Sequence, residues 1–235
     1  MSKPMVEPAA AHRHGDIRRR VIPDVLVAAD PGVAGQFLPA RRVCVLTGTT
    51  GVTVALQRFL SRLPAQPGVS FLVALHTDGE TARRLVELLK RTSVLPIRQA
   101  DDPQTLMHDE ALVIALEARQ REARPVDRLL QAVARQYQTN AGAIVFSGNG
   151  DDGVVGCHSI IRHGGTVWAQ DAASAHYSSL PNHVRQSCRV ALSANPEAMA
   201  DRLMHELRLL DQPGQQRRSG RTVVRAPRSV AEVTP

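Results

Sequence analysis

The chain has 235 residues, and its 43% apolar content supports a core of Leu, Val, Ile and Ala because aromatics make up only 3%. Its apolar runs, such as Phe71 to Leu75, fall far short of the roughly 20 residues a membrane helix needs, and the start from Ser2 lacks a secretory apolar stretch. A cytoplasmic protein without membrane insertion is expected. The net charge of +7 comes from the ends: Lys3, Arg13, Arg18, Arg19 and Arg20 face only Glu7 and Asp16, and five arginines from Arg217 to Arg228 face only Glu232. Residues 21–211 are formally neutral, which argues against a basic nucleic-acid-binding face.

Residues 1–20 and 212–235 are polar and aperiodic, so both ends are expected to be disordered basic tails around one domain at 21–211. Asp24 to Asp30 reads as a strand, broken by Pro31-Gly32. Val43 to Leu46 is a continuous apolar run, the pattern of a parallel strand buried on both faces. A loop, Thr47 to Gly51, follows, and then Val54, Ala55, Leu56, Phe59, Leu60 and Leu63 recur at helical spacing. Val69 to Leu75 is the next strand, Thr81 to Arg91 an amphipathic helix, and Val94 to Ile97 a short strand or bridge. Residues 98–124 are less legible, with Ala111 to Leu116 fitting either a strand or a helix.

Pro125 opens a helix to about Tyr137, with Asp127 as its candidate N-cap. Ala143 to Phe146 is a strand that feeds a glycine loop carrying Asp151 and Asp152, and a helix runs from Val154 to His163. Gly165 to Ala169 is a further strand, ending at Gln170-Asp171, and Pro196 to Leu210 a closing helix. This alternation predicts an α/β fold, three-layer α/β/α with a mostly parallel, doubly wound sheet.

Parallel strands bring their carboxyl ends to one edge, where α/β sites form. Three strand-like runs lead there to Thr47–Gly51, to His76 and to Ser147–Asp152. A hydroxyl, an imidazole and a carboxylate meeting in one crevice can serve as nucleophile, general base and orienter. Two other readings compete at the last loop. Gly148, Gly150 and Gly153 satisfy G-x-G-x-x-G, with Asp171 18 residues beyond Gly153 where a ribose-binding acid belongs, as in a dinucleotide-binding domain. The carboxylates of Asp151 and Asp152 oppose a pyrophosphate there. Asp152 also reads simply as a cap for the helix that follows it. Cys44, Cys157 and Cys188 are widely spaced and share no ligand pattern with His158, His163, His176 or His183, so reduced thiols, no metal and no cofactor are expected.

Taken together, the motifs resemble the catalytic domain of the chemotaxis protein-glutamate methylesterases (CheB type). That family has a strand, Gly-Ala-Ser-Thr-Gly-Gly and a helix with Ala-Leu; here the strand leads to Thr47-Gly48-Thr49-Thr50-Gly51-Val52, with Ala55-Leu56 in register. The family's strand ending in His resembles Leu72-Val73-Ala74-Leu75-His76, and its Pro-Ser-Val-Asp helix start resembles Pro125-Val126-Asp127. Its Thr-Gly-Met-Gly-Asn/Asp-Asp-Gly loop resembles Ser147 to Gly153, and its Gly-Gly, Ala-Gln-Asp and Met-Pro signatures meet Gly164-Gly165, Ala169-Gln170-Asp171 and Leu180-Pro181.

The resemblance implies hydrolysis of glutamate methyl esters on the cytoplasmic helices of chemoreceptors, within a set of chemosensory signalling proteins. It also implies Thr49 as nucleophile, His76 as base, Asp152 as orienting acid, and backbone N–H groups near Thr50 and Asn149 as oxyanion donors. Thr49 stands where the family has Ser, Thr47 and Val52 where it has Gly, and Asn149 where it has Met. The segment between His76 and Asp127 is shorter than the family's, and its N-terminal receiver is not matched. These departures keep a second reading open, a catalytically degenerate binding domain in a chemosensory assembly.

Overall fold

The computed structural model describes residues 40–100, 106–116 and 124–211. The sequence-predicted strand at Asp24 to Asp30 and both tails lie outside them. Among the described residues, seven strands form one sheet: β1 (Val43–Gly48), β2 (Ser70–Leu75), β3 (Ile97–Gln99), β4 (Ala111–Ala115), β5 (Ala141–Val145), β6 (Thr166–Gln170) and β7 (Leu192–Ala194). Their order is β3-β4-β2-β1-β5-β6-β7, and every pairing is parallel.

Among the described residues, six α-helices cover the sheet: α1 (Val52–Leu60), α2 (Gly79–Lys90), α3 (Pro125–Tyr137), α4 (Val154–Arg162), α5 (Ser179–Ser187) and α6 (Pro196–Asp211). Alternate strand residues divide the core. Val43 and Val45 pack with Leu129 and Val133 of α3, Ile160 of α4 and Val184 of α5. Cys44 and Leu46 face the other way, toward Leu56 and Phe59 of α1, Leu89 of α2 and Met199 of α6. The result is the three-layer, doubly wound sandwich expected from the alternation.

Three of the scarce aromatics pack together around α1. Phe59 meets Phe71 and Phe146 edge-on, with ring centroids 5.8 and 5.6 Å apart. Phe146 directly follows β5 and is fully buried, immediately before the glycine loop. Offset and edge-on aromatic pairs of this kind add to ordinary burial.

Several expectations need correction. Thr47 and Gly48 belong to β1 rather than to the loop; Thr47 is buried and its hydroxyl donates to the Ala74 carbonyl of β2 at 2.9 Å. β3 lies at Ile97–Gln99, later than the sequence suggests, while the segment left open between strand and helix is the strand Ala111–Ala115. α5 and β7 escape a periodicity reading because α5 carries Pro181 in its first turn, where proline is tolerated, and β7 is a three-residue edge strand.

Candidate functional site

The order of the strands reverses between β1 and β5: the chain leaves β1 toward β2 on one side and later returns to β5 on the other. Ligand crevices form outside the carboxyl ends of strands at such a point. The loops flanking this one carry Thr49–Gly51 and Ser147–Gly153, and His76 follows β2 next to β1. Thr49, Thr50, His76, Asn149 and Asp152 therefore share one edge of the sheet.

The two loops are stitched together. Thr49 N–H donates to the Ser147 carbonyl at 3.0 Å, and the Ser147 hydroxyl donates to the Thr50 carbonyl at 2.9 Å while accepting from Tyr177 N–H at 2.9 Å. Gln170, at the end of β6, accepts from Ser147 N–H at 2.8 Å. A side chain at Gly48 would put its Cβ 2.7 Å from the Ser147 carbonyl, and one at Gly148 would sit 2.5 Å from Thr49 Oγ1. Glycine is what allows this approach. Gly51 and Gly153, at φ 78° and 116°, then start α1 and α4 in a left-handed conformation that favours glycine.

His76 is exposed, and its Nε2 lies 2.8 Å from Asp152 Oδ2. Asp152 has two further donors: Val126 N–H at 3.1 Å and Asp127 N–H at 3.0 Å, both in the first turn of α3. Burial pushes the Asp152 carboxyl up, but His76 and these backbone donors outweigh it, so it lies below the usual carboxylate range. The carboxylate is thus held ionised, with its plane set by a helix end.

Asp152 does not cap the helix that follows it, and Asp127 is not the N-cap of its own. The N-cap position of α3 is Arg124, and Asp127 lies within the first turn, buried. Its Oδ1 reaches across to α4 and accepts from Gly153 N–H at 2.9 Å and Gly156 N–H at 2.7 Å. A pyrophosphate bound by a G-x-G-x-x-G loop would need those N–H groups at the helix start, and Asp127 already holds them. The dinucleotide reading loses its phosphate site. Asp171 accepts instead from Ser174 N–H at 2.8 Å in its own turn.

Thr49 is half-buried. Its Oγ1 accepts from Asn149 N–H at 2.7 Å and donates to the Asn149 carbonyl at 3.2 Å. Among the described residues, no hydrogen bond joins this hydroxyl to His76, and none occupies the Thr50 N–H. The hydroxyl is bound instead to the backbone of Asn149 in the facing loop.

Sequence reasoning did not single out Ser147, Gln170, Arg124 or the role of Asp127. Arg124 donates from Nε to Asp127, and from Nη1 and Nη2 to the Asp151 carboxylate and carbonyl at 3.2 and 2.8 Å. The only local signal was the i, i+3 spacing of Arg124 and Asp127. Among the described residues no cluster of three or more His, Cys, Asp or Glu is placed to hold a metal ion, and no helix is long and apolar enough to cross a membrane.

Known proteins resemble this chain in sequence and in fold. The chain is 34% identical over 199 residues to protein-glutamate methylesterase/protein-glutamine glutaminase 3 of Anaeromyxobacter dehalogenans, covering 77% of this chain and 58% of the relative. It is 27% identical over 194 residues to the protein-glutamate methylesterase/protein-glutamine glutaminase of Trichodesmium erythraeum, covering 74% and 55%. It therefore spans little more than half the length of these relatives. The crystal structure of the Thermotoga maritima CheB methylesterase catalytic domain superposes with a TM-score of 0.65 at 21% identity, covering 74% of this chain and all of that one, which shows the shared fold. The family model described as CheB methylesterase matches residues 44–203, and the chain belongs to that family.

Proposed function

We propose that this chain is a carboxylic-ester hydrolase that removes methyl esters from glutamates on the cytoplasmic helices of chemoreceptors, with Thr49, His76 and Asp152 as its catalytic residues. The observation that carries the reading is the 2.8 Å pairing of His76 Nε2 with an ionised Asp152. That pairing leaves Nδ1 of the imidazole for the hydroxyl proton. His76, Thr50, Asn149 and Gly150 are exposed, so the site is open to a polypeptide side chain.

In the proposed reaction, Thr49 Oγ1 attacks the ester carbonyl as its proton passes to His76 Nδ1. Asp152 stabilises the imidazolium and fixes its orientation. The tetrahedral oxyanion takes the free Thr50 N–H and the Asn149 N–H, which is released when Thr49 Oγ1 turns to the substrate. Collapse breaks the bond to methoxide, which takes the proton from His76 and leaves as methanol. Water, deprotonated by His76, then cleaves the acyl-enzyme, and the glutamate carboxylate and the threonine hydroxyl are restored.

The test is methanol release from methylated receptor by the purified chain, compared with His76→Ala. Release above the variant's level is expected; release at that level overturns the reading. In that case a specific observation favours the second one, a methylesterase-like binding domain of a chemosensory assembly. The Thr49 hydroxyl is already satisfied by both backbone groups of Asn149 and makes no bond to His76.

A further inference from the structure

We propose that Asp127 is a positioning residue for Asp152: the two aspartates exchange helix N-termini, and this exchange keeps the Asp152 carboxylate on His76 instead of on its own helix. The proposal rests on reading His76 and Asp152 as base and orienter. A helix start leaves its first N–H groups without intrahelical partners, and a carboxylate just before it ordinarily turns onto them. Asp152 directly precedes Gly153, the N-cap of α4, yet its oxygens bond Val126 N–H, Asp127 N–H and His76. At the start of α4, Gly153 N–H and Gly156 N–H are held instead by Asp127 Oδ1 at 2.9 and 2.7 Å.

The exchange closes a small ring. Asp127 N–H binds Asp152, Asp127 Oδ1 binds Gly153, and Gly153 is joined to Asp152 by one peptide bond. Its tightness depends on close helix packing, because a Cβ at Gly156 would lie 2.5 Å from Leu130 Cβ. The titratable and charged groups nearest this pair of helix starts are His76 from the end of β2, Arg124 and Asp127 from the start of α3, and Asp151 from the loop of Asp152 itself. Arg124 pairs with both Asp127 and Asp151, which offsets the charge of three neighbouring acids.

Titration of the Asp152 carboxyl by carbon NMR in the full chain separates this role from a general loss of charge. Removing the nearby Asp127 charge by itself would move the Asp152 pKa further down, whereas losing its seat on α3 moves it up. Asp127→Ala is expected to raise it toward the ordinary carboxylate value, and Asp127→Asn, whose amide oxygen still accepts from Gly153 and Gly156, to restore the low value. An Asp152 carboxyl that stays in place or falls in Asp127→Ala overturns the proposal. Coupling between two sites is reciprocal, so Asp152→Ala provides a second measurement that does not depend on Asp127→Ala folding. Amide exchange at Gly153 and Gly156 is expected to accelerate about tenfold, as local opening becomes easier; unchanged exchange there overturns the proposal. Neither readout requires turnover, so absence of ester hydrolysis would defeat the proposed function and leave this test intact.

Discussion

The Thr49 hydroxyl is bonded twice to the backbone of Asn149, accepting from its N–H and donating to its carbonyl. This holds the hydroxyl off His76 and occupies an N–H that the proposed oxyanion would need. Threonine's β-branch restricts χ1, so exchanging Asn149 for His76 is harder than it would be for serine. Thr49→Ser is therefore expected to raise methanol release by about 10- to 100-fold, the scale on which small misplacements cost rate. Thr49→Ala is expected to reduce release to the level of His76→Ala. A serine variant no faster than the native protein would show that the hydroxyl's partner does not limit the reaction.

Asp152 gives the protein a defined acid sensitivity. Its folded-state pKa is lower than the ordinary carboxylate value of about 4. Its contribution to stability is thus fully present above that ordinary value and is lost as pH falls through the lower folded value. Denaturant unfolding followed from pH 6 downward is expected to show a decline that is shallower in Asp152→Asn. Parallel declines in the two proteins would place the acid sensitivity elsewhere.

The three thiols are packed away from solvent. Burial pushes Cys44 up to about 12 and drives Cys157 well above its ordinary value, with Cys188 raised in the same direction by burial and by Asp127. The thiolate is the reactive form, so a thiol reagent at pH 8 is expected to modify none of them in the native protein. All three are expected to react after denaturation, since none is in a disulfide. Rapid labelling of the native chain would contradict the packing described.

Gly48 controls the approach of the two site loops. A Cβ there would lie 2.6 Å from Val52 Cγ2 and 2.7 Å from the Ser147 carbonyl, and the second of these is backbone. Gly48→Ala is expected to cost about 1–3 kcal/mol, the usual penalty for overpacking a rigid site, and to lower ester hydrolysis as well. Chemical denaturation alongside the methanol assay checks both; an unchanged midpoint would mean that the loops part without cost.

Much of the fold was legible in the sequence. Continuous apolar runs at β1 and β2 and helical spacing in α1, α2 and α6 report burial that each segment shows by itself, and their alternation specifies a parallel sheet covered on two faces. The strand ends also announced which polar residues would gather at one edge. Short or interrupted elements did not announce themselves: β7 has three residues, and α5 contains proline.

What only the tertiary structure decided is the partner of each polar group in the site. A cap or a loop contact reads locally as a bond to the nearest helix, so Asp127 and Asp152 each suggested a cap at the helix it adjoins or begins. The packing of α3 against α4, made close by Gly156, let each aspartate cap the other's helix instead. In the same way the sequence identified Thr49 as a hydroxyl at a strand end, while the contact of two loops a hundred residues apart assigned that hydroxyl to Asn149. Composition and periodicity record how much of a segment is buried. Hydrogen-bond partners depend on distances across the fold, and no local pattern contains them.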